Sequence, residues 1–80
     1  MISHISGKIK YVGGGFFEIS AGNMGYKIYA LPKSLGIYSS GDEVEVFTYL
    51  HVRDNAMDLY GFFERDERDF FEVLIRSDFL

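Results

Sequence analysis

Hydrophobic and polar residues alternate with a period of two along several stretches of the chain, which is typical of β-strands that bury one face. The first such stretch, Ser3 to Val12, places Ile5, Gly7, Ile9 and Tyr11 on one face. The same pattern predicts four more strands, which are Phe16 to Ala21, Met24 to Tyr29, Val44 to Val52 and Met57 to Phe62.

Glycine and proline mark the connections between these strands. Gly13-Gly14-Gly15 separates the first two strands, and Gly22-Asn23 forms a two-residue connection that favours a hairpin of the second and third. The longer segment from Leu31 to Gly41 contains the only proline, Pro32, and is predicted to hold at most one short helical turn.

The fourth strand is predicted to be covered on both faces. Its even positions form a nearly continuous apolar face that comprises Val44, Val46, Thr48, Leu50 and Val52. The opposite face carries Phe47, Tyr49 and His51 in its second half, so a packed helix or a partner subunit is expected there. Phe47 and Tyr49, together with Tyr60, are the candidates for an oligomer interface.

After the fifth strand the apolar period changes to that of a helix, and Glu64 to Ser77 is predicted as α-helical. Glu64 and Arg68, and likewise Glu72 and Arg76, are four apart in the order that favours ion pairing. Five short strands with a long connection after the third predict a mainly β protein: a small five-stranded barrel of the oligonucleotide/oligosaccharide-binding (OB) fold at 1–63, followed by a C-terminal helix segment at 64–80.

Composition limits the functional classes. The 80 residues predict one domain, and 18% aromatic content argues against disorder. The net charge of −4 counts against a general nucleic-acid binder, which needs a basic face. The lack of cysteine excludes disulfides and is compatible with the cytoplasm, and no segment approaches the ~20 apolar residues of a membrane span.

Little in the sequence indicates catalysis. His4 and His51 are the only histidines and share no metal-ligand spacing, while Gly13-Gly14-Gly15 lacks the Lys-Ser/Thr of a phosphate loop. We therefore predict no catalytic residues, no metal and no cofactor.

The stretch HVRDNAMDLYGF, from His51 to Phe62, raises the main functional question. It places Arg53, Asp54 and Asn55 at the tip of a hairpin between two apolar strands. A solvated turn is the simplest interpretation, because Asp and Asn suit turns. The alternative is a charged pin that contacts a partner, which these residues alone do not identify. If that partner is DNA, the candidates for phosphate contacts elsewhere are Lys8, Lys10, Lys27 and Lys33.

The segment VFTYLHVRDNAMDLYGF, Val46 to Phe62, resembles the fourth and fifth strands and the intervening pin of the N-terminal domain of RuvA, the bacterial Holliday-junction branch-migration protein. The resemblance extends over essentially the whole chain to Ile75. Its other matching positions are Met1-Ile2, Gly7, Gly22, Gly25-Tyr26, Glu67-Arg68, Phe71 and Leu74-Ile75.

This resemblance implies a homotetramer that binds four-way junction DNA in recombination and repair. It also implies a RuvB-type ATPase motor and a RuvC-type resolvase as partners of the full-length protein, and no hydrolytic activity in this chain. Family members carry two adjacent acidic residues at the tip of the pin. Asp54 matches the first of them, whereas Asn55 stands at the second and lacks the charge.

The family continues from this helix into two helix-hairpin-helix motifs, each with a Gly-x-Gly turn that holds the phosphates of the duplex arms. This sequence stops at Arg76-Ser77-Asp78-Phe79-Leu80, with no such turn after the helix. The chain is therefore expected to be either a truncated form or a stand-alone relative. The alternative function is an OB-fold module that serves only for oligomerisation or protein interaction.

Overall fold

The computed structural model describes residues 2–77, so Met1 and the end of the predicted 64–80 segment lie outside the described residues. The elements are β1 (His4–Val12), β2 (Phe16–Ala21), β3 (Met24–Ala30), α1 (Pro32–Leu35), β4 (Glu43–Arg53), β5 (Ala56–Phe62) and α2 (Arg65–Ser77). The five predicted strands and the helix are confirmed, with boundaries that differ by one residue in most cases. The Leu31 to Gly41 connection holds the expected helical turn, α1.

The strands form a closed barrel in the order β1-β2-β3-β5-β4, which confirms the predicted five-stranded barrel. Neighbouring strands are antiparallel except β3 and β5, which run parallel and pair only through Tyr29 with Tyr60 and Ala30 with Gly61. Closure leaves the sheet without a free edge. The division into a 1–63 barrel and a 64–80 segment stays a prediction.

The barrel core consists of apolar side chains from every strand. The most deeply buried are Ile9, Phe17, Ile19, Ile28 and Val46. Gly61 completes this interior, because a Cβ atom there would overlap the side chains of Ile28 and Val46. The apolar faces predicted for β2 and β4 are therefore the faces that point into the barrel.

One predicted face is wrong at the end of β1. Ile5 and Ile9 are buried as expected, but Tyr11 is exposed. The register between β1 and β2 shifts between Ile9 and Tyr11, which marks a β-bulge. Because a bulge adds one residue to a strand, it reverses the alternation beyond it, so Tyr11 faces outward and Val12 packs against the core.

Helix α2 covers the outer face of β4 and β5. The ring centroid of Phe71 lies 5.1 Å from that of Phe62 and 5.9 Å from that of Tyr49. The Arg65 guanidinium lies 4.9 Å from the centroid of Phe47. The cover predicted for this face is thus supplied by the chain's own helix.

Only one of the two predicted ion pairs along α2 forms within residues 2–77. Arg76 and Glu72 lie 3.1 Å apart, whereas Arg68 turns toward the barrel. Its Nη1 atom donates hydrogen bonds to the carbonyl oxygens of Ser3, at 2.9 Å, and Thr48, at 3.3 Å. Lys33 of α1 forms an ion pair with Glu67, which ties α2 to a second element.

Candidate nucleic-acid interface

The β4–β5 hairpin extends past the barrel and ends in a two-residue turn, Asp54-Asn55. Leu50 and Leu59 are paired across the strands and both contact the core. The next inward-facing pair, Val52 and Met57, is exposed to 62% and 69%. The core ends at the Leu50–Leu59 pair, whereas the pairing of β4 with β5 continues to Arg53 and Ala56. The last residues of both strands therefore lie in solvent.

The tip itself presents polar groups to solvent. Asp54 and Asn55 are both exposed, and neither residue has a positive φ. The chain therefore turns without backbone strain, and Asp54 keeps its carboxylate in water. The pin predicted from the sequence is present as a structural feature, and its role toward DNA stays a prediction.

Arg53 points back along the hairpin and not toward the tip. Its Nη2 atom forms an ion pair with Oδ2 of Asp58. The two residues lie on the same face of the hairpin, because Arg53 pairs with Ala56 and Asp58 follows two positions later. This pairing leaves Asp54 as the formal charge of the tip without an ion-pair partner among residues 2–77.

Asp58 is the residue of this site that sequence reasoning missed. The sequence could have indicated the role of Asp58. A two-residue turn between residues 53 and 56 places residues 53 and 58 diagonally opposite each other on one face of the hairpin. The sequence interpretation grouped Arg53 with its neighbours along the chain, whereas the structure pairs it across the hairpin.

The four lysines proposed for phosphate contacts lie on three different elements. Lys8 lies 3.9 Å from a carboxylate oxygen of Glu43, and Lys33 is paired with Glu67. The Nζ atom of Lys27 lies 4.4 Å from the ring centroid of Phe16, and Lys10 is exposed on β1. Three of the four are thus engaged within the domain, and phosphate contact by any of them stays a prediction.

The aromatic residues proposed for an oligomer interface share the outer face of the β4–β5 hairpin. Phe47, Tyr49 and Tyr60 are each half-buried. Tyr60 contacts Phe71 of α2, with ring centroids 5.2 Å apart, and also Tyr29 of β3, at 5.8 Å. The helix therefore occupies part of this face, and the interface role stays a prediction.

Within the described part of the chain, no three metal-binding side chains come together. His51 stacks on Tyr49 and His4 lies beside Ser3. The helices of residues 2–77 include none with the length and hydropathy needed to cross a membrane.

Comparison with known families decides where this barrel belongs. The family model described as the RuvA N terminal domain matches residues 1–61. The chain belongs to the RuvA family. The match contains all five strands of the barrel up to Gly61, and therefore the entire Arg53-Asp54-Asn55 tip.

Curated RuvA proteins match over most of this chain. Each of the following is named Holliday junction branch migration complex subunit RuvA. The protein of Acetivibrio thermocellus is 38% identical over 76 residues, which cover 94% of this chain and 38% of the relative. That of Pseudarthrobacter chlorophenolicus is 41% identical over 75 residues, covering 94% and 35%, and that of Micrococcus luteus is 38% identical over 78 residues, covering 98% and 36%.

The chain thus spans little more than a third of the length of these RuvA relatives. The matches of 75 to 78 residues take in most of α2 in addition to the barrel. The remaining part of each relative's sequence has no counterpart among the residues described.

Proposed function

We propose that this chain is the junction-centre domain of a RuvA-type subunit, which binds four-way DNA and places the β4–β5 hairpin tip where the strands cross. The observation that carries the proposal is the hairpin itself. It extends beyond a closed barrel and presents Asp54 in solvent, in a family whose curated members are named as Holliday junction subunits.

The role of Asp54 in this proposal is repulsion. A carboxylate 4 Å from a phosphate costs about 1 kcal/mol in bulk water and about 4 kcal/mol at the effective dielectric of a protein surface. Phosphate backbones are thereby discouraged from settling at the tip, so strands that cross there are kept apart. Because Arg53 is paired with Asp58, it does not offset the charge of Asp54.

Asn55 makes this pin weaker than a doubly acidic one. Its side chain keeps the shape of Asp but carries no charge and has an NH2 donor in place of one acceptor oxygen, so each tip repels with Asp54 alone. We propose that affinity comes from basic groups away from the tip, whereas the tip selects the position of the strands.

The assembly that fits this role is a homotetramer with fourfold symmetry, which brings one pin per subunit to the centre of a junction. A RuvB-type ATPase and a RuvC-type resolvase would act with the full-length protein in the cytoplasm, and this domain would do no chemistry of its own. The names of the relatives, which describe each as a subunit of a branch migration complex, support an assembly with further subunits.

The first test is sedimentation velocity of the 80-residue chain at low salt, with a fluorescent four-way junction and separately with a linear duplex. We expect a tetramer that co-sediments with the junction in preference to the duplex. Equal binding to both, or to neither, would show that this domain does not itself recognise a junction.

A charge variant isolates the contribution of the tip. Asp54→Asn removes the carboxylate and should tighten junction binding by several-fold, as expected for a charge–charge repulsion of about 1 kcal/mol. Glu45→Gln, an exposed neutralisation on β4 far along the strand from the tip, is the matched control. Equal tightening by both variants would assign the effect to net charge and not to the pin.

A further inference from the structure

Two large apolar side chains project from the hairpin just behind its tip. Val52 and Met57 are directly paired across the strands. They are exposed to 62% and 69%, respectively. Each is two positions from the nearer turn residue, so the pair lies ~7 Å behind the tip at the usual rise of a β-strand.

The fold does not account for this exposed pair. The two residues continue the inward-facing alternation of β4 and β5, but the core ends at Leu50 and Leu59. If Val52 and Met57 only connected the barrel to a polar turn, polar residues such as Thr or Lys would suit these exposed positions better. The opposite face of the same hairpin shows this, since it carries the Arg53–Asp58 ion pair.

We propose that Val52 and Met57 form an apolar wedge that contacts the faces of nucleobases at the centre of a four-way junction. The inference rests on the proposed function and adds a second role to the hairpin. The Asp54 carboxylate repels phosphates, whereas the wedge attracts bases that have lost a stacking neighbour. Apolar side chains inserted between base steps are an established means of unstacking DNA.

The hairpin is built to separate these two roles. The charged group at its tip is Asp54. On one face of the hairpin, Arg53 and Asp58 neutralise each other. Its other face is apolar at Val52 and Met57. A base that turns out of the stack near the crossing point would therefore meet an uncharged surface, while the backbone on either side is kept away.

Bases fit this surface better than a second copy of the chain. Two side chains offer far less area than the roughly 1,000 Å² that a stable protein interface buries.

The test uses the 80-residue chain and a synthetic four-way junction with 2-aminopurine at the crossing point, whose fluorescence rises when the base unstacks. A second junction carries the probe within an arm. We expect the wild-type chain to raise the fluorescence at the crossing point and not in the arm.

The decisive variant is the double substitution Val52→Thr and Met57→Gln, which keeps the size of both side chains and makes them polar. We expect about fivefold less opening of the base at equal saturation, because a base contact is lost while the phosphate contacts remain. Met57→Leu should retain the effect. Met24→Gln is the matched control, since Met24 is 59% exposed at the other two-residue hairpin.

The outcomes separate this inference from the function on which it rests. Unchanged fluorescence in the double variant, or an equal loss in Met24→Gln, would overturn the wedge and leave junction binding intact. Loss of self-association in the double variant would show that the pair contacts another copy, which also overturns it. If the wild-type chain binds no junction, the proposed function fails and the wedge fails with it.

Discussion

Arg68 of α2 donates a hydrogen bond from Nη1 to the backbone carbonyl of Ser3, at 2.9 Å, across the interface between the helix and the barrel. The same carbonyl accepts the N–H of Thr48, and the Thr48 hydroxyl donates to the carbonyl of Ile2 at 2.8 Å. Arg68 is only 12% exposed. One side chain thus joins the terminal helix, β4 and the residues that precede β1.

We expect Arg68→Ala to lower the free energy of unfolding by about 1–3 kcal/mol, because it removes charge-assisted hydrogen bonds from a largely buried donor. Urea unfolding followed by circular dichroism measures this change. Arg76→Ala is the control. Arg76 is 67% exposed in its ion pair with Glu72, so its loss should change the stability by less than about 0.5 kcal/mol. Equal effects would mean that the contact with Ser3 contributes nothing.

Phe71 holds α2 on the barrel through three rings, those of Tyr49, Tyr60 and Phe62. Phe71→Ala should destabilise the domain by about 2 kcal/mol, which is less than the cost for a fully buried Phe because this ring is half-buried. Thermal melts of the variants measure this loss. The neighbouring Phe70 is 64% exposed, so Phe70→Ala should have a much smaller effect in the same measurement. Similar losses for the two variants would argue against the packing of α2 described above.

Gly61 faces the interior opposite Thr48, in contact distance of Ile28 and Val46. A Cβ atom there has no space, so Gly61→Ala should cost about 1–3 kcal/mol through overpacking. Gly25→Ala on β3 is the matched control, because its Cβ would meet open space and its φ is not positive. A Gly61→Ala variant as stable as Gly25→Ala would contradict the close approach inside the barrel.

Asn55→Asp restores a second carboxylate to the tip. We expect weaker binding to an intact four-way junction or faster strand separation, because each added charge repels a phosphate at 4 Å by about 1 kcal/mol in water. Fluorescence anisotropy titrations and strand-separation rates measure the two quantities. Asn23→Asp places the same charge on the β2–β3 turn as a control. No change in either quantity, or an equal change from Asn23→Asp, would remove Asn55 from the pin.

Asp58→Asn should have the opposite effect on binding. It releases the Arg53 guanidinium from its ion pair, and the freed charge can offset Asp54 or attract phosphate. Junction affinity should therefore rise, with a steeper dependence on salt concentration. The double variant Arg53→Gln with Asp58→Asn tests the cause. If it binds as tightly as Asp58→Asn alone, the released arginine is not responsible.

Much of the fold follows from local patterns in the sequence. Alternation in β2 and β4 predicts the faces that carry Phe17 and Val46, and the change to a helical period predicts α2 within one residue of its start. These predictions succeed because burial of one face of a strand or helix requires that period. The hairpin tip at Asp54 was found in the same way, from a polar turn between two apolar runs.

The errors and omissions concern relationships between elements. The bulge after Ile9 turns Tyr11 outward, and no local signal marks it because the alternation itself continues through Lys10. The sequence indicated that the face of Tyr49 is covered but left the cover open between a helix and a partner. Phe71 fills that place on the chain's own helix.

By itself, the sequence determined the order of the strands along the chain, their inward faces except beyond the bulge in β1, and the charge of the tip. Each of these depends on residues that are close in sequence. Tertiary structure decided which face of the hairpin remains uncovered, where the core ends and which partner each arginine takes. Arg53 pairs across the hairpin and Arg68 across the helix–barrel junction. Such pairings depend on the register of the ladder and on helix docking, and distance along the chain does not specify either of them.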